Sequence, residues 1–354
     1  MNDKFSQRPF VIEGTHVGNQ RPPYIIAEVA QTHEGSLGSA MAFIDLAKEC
    51  GADAVKFQTH IASEESTIRE PWRKRFSQQD ESRFDYWRRM EFTFTQWQLL
   101  KRHADDVGIA FISSPFSVKA CEWLHELGMR TWKIASGEVH NRQLMTWILA
   151  TNEPIILSSG LSLSDESRRL LCELIDGDRQ LAFLHCTTQY PTPASQVGLN
   201  VFNEFKSDFP SLPIGLSDHS GQIYPSVVAT YLGADIIEVH LTMHARMFGP
   251  DVKSSLTPEQ LIDLAQGVRF AWEMRNRAVD KSVQLSGLQN ERNIFTRSLV
   301  AARDLAAGET VSVETVAYKK PGGGLTFDDL PNLVGKTLRR SIARDEQLSL
   351  DDVK

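Results

Sequence analysis

Two histidines sit where short apolar runs end, His219 after Leu216-Ser217-Asp218 and His240 after Ile237-Glu238-Val239. Read as β-strands, such runs alternate their side chains, which puts Glu238 and His240 on one face and Ile237 and Val239 on the other. Two imidazoles that converge beside a carboxylate form a donor set suited to a divalent metal ion with positions left open for substrate. A single His at a strand end is more simply a polar cap; two at successive strand ends favour the metal reading.

The ends of the other apolar runs extend the inventory toward anion binding and acid–base chemistry. In chain order they carry Glu28 and His33; Lys56 and Gln58; Ser113, Ser114 and Ser117; Lys133, Ser136 and Glu138; Ser158, Ser159 and Gly160; His185, Thr187, Thr188 and Tyr190; and Ser217. Lys56 and Gln58 are two apart on a strand and so share a face, while Lys133 with Ser136 supplies a second cation and a hydroxyl. A lysine on an inward barrel face is costly unless a carboxylate or an anionic ligand pairs with it. Both lysines therefore either pair with Glu28 and Glu138 or hold a substrate anion. Segments 113–117 and 158–160 each precede a helix, where free backbone N–H groups can hold phosphate or carboxylate oxygens. Within 67–95, Trp72, Arg73, Arg75, Arg83, Tyr86, Trp87, Arg88 and Arg89 interleave rings with guanidinium groups. They form either a lid over a sugar and a carboxylate or the surface and packing of helices.

The elements that must position these residues repeat one grammar. A helical pattern ends at a glycine (Gly51, Gly108, Gly128, Gly233) and an apolar strand begins within a few residues. Strands are predicted at 24–29, 54–58, 109–113, 130–135, 154–157, 181–186, 213–216 and 234–240. Alternating with helices, they give the count and length of a (β/α)8 TIM barrel. A doubly wound open sheet fits less well, because no G-x-G-x-x-G follows the first strand and polar groups recur after nearly every strand. Residues 10–14 read as one arm of a small hairpin, and Thr257-Pro258-Glu259 announces the last barrel helix. The chain divides into a barrel over 1–280, a polar linker over 281–293 and a small unit over 294–354 that needs a docking surface on the barrel or on a neighbouring subunit.

Composition narrows the class. The 38 Lys+Arg against 45 Asp+Glu give a net charge of −7, which disfavours nucleic acid as the partner, so an anionic substrate must meet a locally basic site. Cys50, Cys121, Cys172 and Cys186 are scattered without zinc spacing and read as buried, reduced thiols. There is no signal-like apolar segment near the start and no membrane-length apolar run, so a soluble cytoplasmic protein is expected, with no membrane partner.

The strand-end residues then carry a resemblance. Ala27-Glu28 through His33-x-Gly35, Val55-Lys56-Phe57-Gln58, Ser114-Pro115-Phe116-Ser117, Lys133-Ile134-x-Ser136-Gly137-Glu138, Ser158-Ser159-Gly160, Cys186-Thr187-x-x-Tyr190-Pro191, Gly215-Leu216-Ser217-Asp218-His219, Glu238-Val239-His240 and Gly249-Pro250-Asp251 together resemble the sialic acid synthase (N-acetylneuraminate synthase) family. The likeness spans nearly the whole chain, because the C-terminal unit resembles the antifreeze-like (SAF, β-clip type) domain of those enzymes. One such motif is weak; this many in one order is specific.

The resemblance implies a condensation of phosphoenolpyruvate with N-acetylmannosamine or a related N-acetylated aminohexose, giving a nonulosonic acid and phosphate. It implies that His219 and His240 hold a divalent ion, Mn2+ before Mg2+ or Co2+, and that Lys56, Gln58, Lys133 and Ser136 hold phosphoenolpyruvate. Glu28, Glu138 and Tyr190 then lie by the sugar and the metal-bound water. Glu28, Glu138, Glu238 and Lys133 become the catalytic candidates, and Ser114, Thr188, Ser217, Asp251 and Lys320 further substrate contacts. A domain-swapped homodimer is also implied, with Lys320 reaching the aminosugar of the neighbouring subunit. The chemistry agrees: charge develops on the aldehyde oxygen, where a Lewis acid serves, and on the pyruvyl C2, where a carboxylate serves and a base such as Glu138 can deliver water. Thr32, Thr188, Val252 and Lys320 depart from the family pattern and bear on the sugar. A legionaminic or pseudaminic acid-type synthase acting on a diacetamido sugar is one alternative. A synthase acting on a phosphorylated aldose and a non-catalytic carbohydrate-binding scaffold are the others.

Overall fold

The computed structural model describes residues 7–72, 75–161 and 164–354. The chain divides into two units, 1–277 and 278–354. The first contains β1 Tyr24–Ala30, β2 Ala54–Thr59, β3 Ala110–Pro115, β4 Trp132–Ile134, β5 Ile155–Ser158, β6 Leu181–Cys186, β7 Ile214–Asp218 and β8 Ile236–Leu241. Parallel ladders join them in the order β3-β2-β1-β8-β7-β6-β5-β4. The ends of this path, β3 and β4, complete the circle by packing, without a ladder among the described residues. This is the expected TIM barrel, nearly closed. The strand predicted at 130–135 shortens to Trp132–Ile134, and the one at 213–216 runs on through Asp218.

Helices return the chain between strands, and their ends follow the local chemistry. Gly108 and Gly233 close Phe94–Val107 and Tyr224–Leu232 in the left-handed conformation, with φ of 75° and 103°. Pro258–Asn276 starts on a reciprocal cap in which Thr257 and Gln260 each accept from the other's backbone N–H, with Pro258 in the first turn. No helix among the described residues is long and apolar enough to cross a membrane.

The barrel interior is layered. Inward residues at the strand starts, among them Tyr24, Ile26, Ala54, Ile112, Ile156, Leu184 and Ile236, form an apolar plug with Phe10, Ile12 and Val17. Those last three come from the predicted hairpin, Phe10–Ile12 paired antiparallel with Thr15–Val17, which seals the lower end. The register decides what lies above the plug. His240 is paired with Glu28, Glu28 with Lys56, and Glu238 with Ser217, and partners in a ladder point the same way, so all five project inward. Their outward neighbours, including Val29, Val55, Phe57, Ile237 and Val239, pack under the helices.

The stretch read as a linker carries two short helices, Lys281–Ser286 and Gln289–Phe295. Beyond them Ser298–Ala301 pairs antiparallel with Val316–Lys319, and Leu299, Leu305, Val311, Leu333, Leu338, Ile342 and Leu348 make a compact core of their own. The thiol reading needs one correction: Cys50, Cys121 and Cys186 are buried, but Cys172 is exposed on the solvent side of its helix.

Gly215 on β7 faces the plug, where a Cβ would collide with the Ile236 carbonyl and stand 2.5 Å from Leu184 Cδ2. Overpacking of this kind costs about 1–3 kcal/mol. Gly215→Ala is therefore expected to lower the urea midpoint of the barrel; an unchanged midpoint would contradict this packing.

Candidate active site

Four oppositely charged side chains meet above the plug. Lys56 Nζ is 2.7 Å from Glu28 Oε2 and 3.3 Å from Glu238 Oε2, and Lys133 Nζ is 3.3 Å from Glu238 Oε1. Lys133 also donates to Ser158 Oγ at 2.7 Å, Ser217 Oγ donates to Glu238 Oε1 at 2.8 Å, and Gln58 Nε2 donates to Glu28 Oε1 at 2.7 Å. All four charged groups are about 2% exposed. The sequence left Glu28 and Glu138 as partners for the lysines; Glu28 is one, but the other is Glu238, because β8 inserts it between β2 and β4 across the barrel.

Burial opposes charge on every member, and the number of partners decides who resists. Burial pushes Glu28 upward, yet Lys56, His240 and Lys133 together hold it well below the usual carboxylate range. Glu238 likewise is driven up by burial and brought below its ordinary value by Lys133 and Lys56. Burial also acts to lower both lysines. Lys56, facing two carboxylates, ends above its ordinary value, whereas Lys133, facing one carboxylate and Lys56, ends below.

His219 and His240 converge beside this cluster, their ring centroids 5.2 Å apart. His219 Nδ1 lies 2.9 Å from the Thr187 carbonyl oxygen, which can only accept, so Nδ1 carries the proton. Nε2 is left with a lone pair directed at the Tyr190 hydroxyl 3.1 Å away. Burial, reinforced by His240, lowers His219 to about 3 and keeps it neutral. His240 Nε2 stands 3.6 Å from Glu28 Oε2, and its Nδ1 is buried without a hydrogen-bond partner. No group of three or more His, Cys, Asp or Glu side chains among the described residues has the spacing of a metal site. The donor chemistry nevertheless fits a divalent ion: a neutral imidazole with its tautomer fixed from behind, a second imidazole with an unspent nitrogen, and a carboxylate at the edge.

Beside the lysines, Ser136 and Thr188 crowd Gly160: a Cβ there would stand 2.7 Å from Ser136 Oγ and 2.5 Å from Thr188 Oγ1. Thr188 Oγ1 and Ser114 Oγ are both buried without a partner, donors left for oxygens that the protein does not supply. Of the hydroxyl-rich segment 158–160, Ser158 accepts from Lys133 and Gly160 packs between Ser136 and Thr188. Glu138 lies to one side, half-buried, accepting from Asn141 Nδ2 at 2.8 Å. Burial raises it, and Glu65 and His60 face it.

At the mouth, the loop 67–95 packs its rings together, Tyr86 with Phe76 at 5.0 Å and Phe76 with Phe248 at 5.9 Å between centroids. Asp251 faces the Tyr86 hydroxyl electrostatically. Two of the loop's arginines are committed to protein carboxylates: Arg89 bonds Asp80 at 2.8 Å and Glu34 at 2.9 Å, and Arg83 pairs with Glu70 at 3.1 Å. Arg75 and Arg88 are exposed, and Arg73 lies outside the described residues. His33, counted among the strand-end residues, turns away from the site. It stacks on Phe92 at 4.7 Å and accepts from Gly35 N–H at 3.0 Å. In the second unit, Lys320 Nζ lies 5.5 Å from the Phe295 ring centroid. Sequence reasoning passed over His60, whose ring is buried against the Gln58 side chain; its place two residues beyond Gln58, hence on the same strand face, was the available signal.

Residues 43–280 match the family model described as the NeuB family, and 296–354 match the SAF domain. The chain belongs to the NeuB family. Among NeuB-family relatives, it is 34% identical to the N,N'-diacetyllegionaminic acid synthase of Campylobacter jejuni over 91% of this chain and 97% of that one. It is 32% identical to the N-acetylneuraminate-9-phosphate synthase of Homo sapiens over 95% and 94%. The crystal structure of the N-acetylneuraminic acid (sialic acid) synthetase from Leptospira borgpetersenii superposes with a TM-score of 0.70 at 27% identity, covering 80% of this chain and 97% of that one. The resemblance carried by the strand-end motifs is therefore real, and the two-part architecture of this NeuB-family chain is a barrel followed by a SAF domain.

Removing one member of a buried ion cluster strands its partners, at a cost on the order of 3–5 kcal/mol. Lys56 neutralises two carboxylates and Lys133 one, so Lys56→Met is expected to lower the unfolding free energy more than Lys133→Met. Denaturant titration of both variants checks the order, and equal losses would contradict it.

Proposed function

We propose that this chain is a nonulosonate synthase that condenses phosphoenolpyruvate with N-acetylmannosamine or a related N-acetylated aminohexose. The observation that carries this is the juxtaposition of the Lys56/Lys133 cradle and its unpartnered hydroxyls with the converging pair His219 and His240. One half suits a phosphorylated carboxylate, the other an aldehyde oxygen. In the reaction, C3 of phosphoenolpyruvate bonds to the aldehyde carbon, the aldehyde oxygen gains a proton, water adds to C2, and the C2–O bond breaks to release phosphate.

Lys56, Lys133, Gln58, Ser114, Ser136, Thr188 and Ser217 bind and orient the phosphoenolpyruvate in this reading, and Glu28 and Glu238 set the positions of the two lysines. Glu28, Tyr190 and Asp251 face the sugar. Glu138, whose carboxyl burial raises above its ordinary value, takes the proton of the water that adds to C2. His219 and His240 would hold a divalent ion, Mn2+ before Mg2+ or Co2+, which when bound supplies Lewis-acid polarisation of the aldehyde. An inert carbohydrate-binding scaffold has no use for four buried charges. The Campylobacter jejuni relative, an N,N'-diacetyllegionaminic acid synthase, favours a diacetamido acceptor as the second reading. A phosphorylated aldose draws no support from Arg83 and Arg89, which are already paired.

The enzyme works in the cytoplasm, where phosphoenolpyruvate is made, and as a homodimer. Support for pairing comes from the apolar stripe Tyr224, Val228 and Tyr231 on one barrel helix and Phe270 and Met274 on the helix packed against it, all exposed. The SAF domain of one copy then covers the partner's barrel, bringing Lys320 to the aminosugar. A lysine there is a point charge without the planar fork of an arginine, which suits a different sugar contact.

Phosphate release from phosphoenolpyruvate should require both an N-acetylated aminohexose and a divalent ion, and His219→Ala or His240→Ala should abolish it with the fold retained. Full activity of either variant in thorough chelator would refute the metal assignment. Thr188→Val should raise KM for phosphoenolpyruvate by roughly tenfold, the loss of one hydrogen bond to an anion; an unchanged KM would remove Thr188 from the cradle. A chain truncated after Arg292, inactive alone, should regain turnover when mixed with a His219→Ala chain, since the mixed dimer joins an intact barrel to an intact SAF domain. No recovery in mixed dimers that demonstrably form would mean that each domain serves its own barrel.

A further inference from the structure

The least expected polar group near the site is His60. It is 4% exposed and its ring lies flat between two aromatic faces, Trp87 and Phe116, each 4.2 Å away between centroids and tilted by 21° and 20°. Its Nδ1 is 2.6 Å from Glu65 Oε1 and its Nε2 is 3.2 Å from Gln58 Oε1.

The direction of the Gln58 amide is fixed independently. Its other end is 2.7 Å from Glu28 Oε1, a carboxylate that Lys56 and its neighbours keep ionised and that can only accept, so that end must be the NH2 group. The Gln58 oxygen therefore faces His60, and Gln31 Nε2 donates to the same oxygen at 3.2 Å. Both neighbours of the His60 ring, a carboxylate and an amide oxygen, are acceptors. A neutral imidazole has one N–H and would direct a lone pair at one of them; the two contacts together call for a proton on each nitrogen. The aromatic slot suits that state, since both ring faces attract a cation.

We propose that His60 is a positioning residue: an imidazolium paired with Glu65 and held between Trp87 and Phe116, it locks the Gln58 amide in the one orientation that donates to Glu28. The consequence for catalysis rests on the synthase reading. Glu28 stands between Lys56 and His240, and a Gln58 free to rotate would turn its oxygen toward that carboxylate and repel it. His60 acts through Gln58, which it contacts at Oε1.

The test has one arm independent of activity. In the resting protein labelled with 15N-histidine, with His60→Phe to assign the signals, both His60 ring nitrogens should be protonated at neutral pH; a single protonated nitrogen overturns the imidazolium. His60→Phe keeps a ring in the slot but loses both N–H groups, and kcat for phosphate release should fall roughly 10–100-fold, the range for residues that orient a site group from behind. The same change in a Gln58→Ala background should add no further loss. Glu65→Gln should largely retain kcat, because its amide can donate to Nδ1 of a neutral ring whose Nε2–H still holds Gln58, while the nitrogen signals change to one protonated site. Wild-type kcat in His60→Phe, or losses that multiply in the double variant, would overturn the positioning role. If the wild-type protein releases no phosphate with any sugar, the synthase reading fails, while the nitrogen signals still decide the state of His60.

Discussion

The structure depends on keeping two lysines and two glutamates inside a protein barrel at net zero charge. A single ion moved from water to such a place loses several kcal/mol of solvation, and only close, well-directed partners offset it. Glu28, Lys56, Glu238 and Lys133 alternate in sign along one connected path, with no contact longer than 3.3 Å. They come from β1, β2, β8 and β4; β1 and β2 are consecutive, but β4 and β8 are distant from them and from each other in sequence, so the full cluster is satisfied only when the barrel has formed. Replacing them with apolar residues would remove the desolvation penalty, so packing alone does not call for their charges.

That cluster also explains the layering beneath it. The N-terminal hairpin and the inward residues of the strand starts exclude water from the lower barrel, which raises the strength of every charged contact just above. The hydroxyls of Ser114 and Thr188 are buried without a partner, as is His240 Nδ1, so the polar layer above the plug is not satisfied by the protein alone.

A supporting layer sets the state of the groups facing the opening. The Thr187 carbonyl chooses the tautomer of His219, and the chain from Glu65 through His60 and Gln58 orients Glu28. At the mouth, Arg89 spends its guanidinium on Asp80 and Glu34, so the loop that carries it is braced by its own charges. Of the two readings open for that loop, its rings and its paired arginines show packing.

Local pattern determined the alternation of strand and helix, the barrel, its hairpin and the separate C-terminal unit, because strand periodicity, glycine caps and the Thr257 cap act over a few residues. It also determined which side chains crowd the strand ends, since alternation fixes the face on which Glu238 and His240, or Lys56 and Gln58, must lie. Which charges meet was decided only by the register between strands: Lys133 found Glu238 rather than Glu138, and His33, near the end of β1 in sequence, turned out among Phe57 and Phe92. The same holds for His60, unremarkable in the sequence until Trp87 and Phe116 are folded onto it from two different segments. The physical reason is one of range. A strand's own sequence sets the direction of each side chain, but the partner of a buried charge comes from across the barrel, and nothing local encodes it.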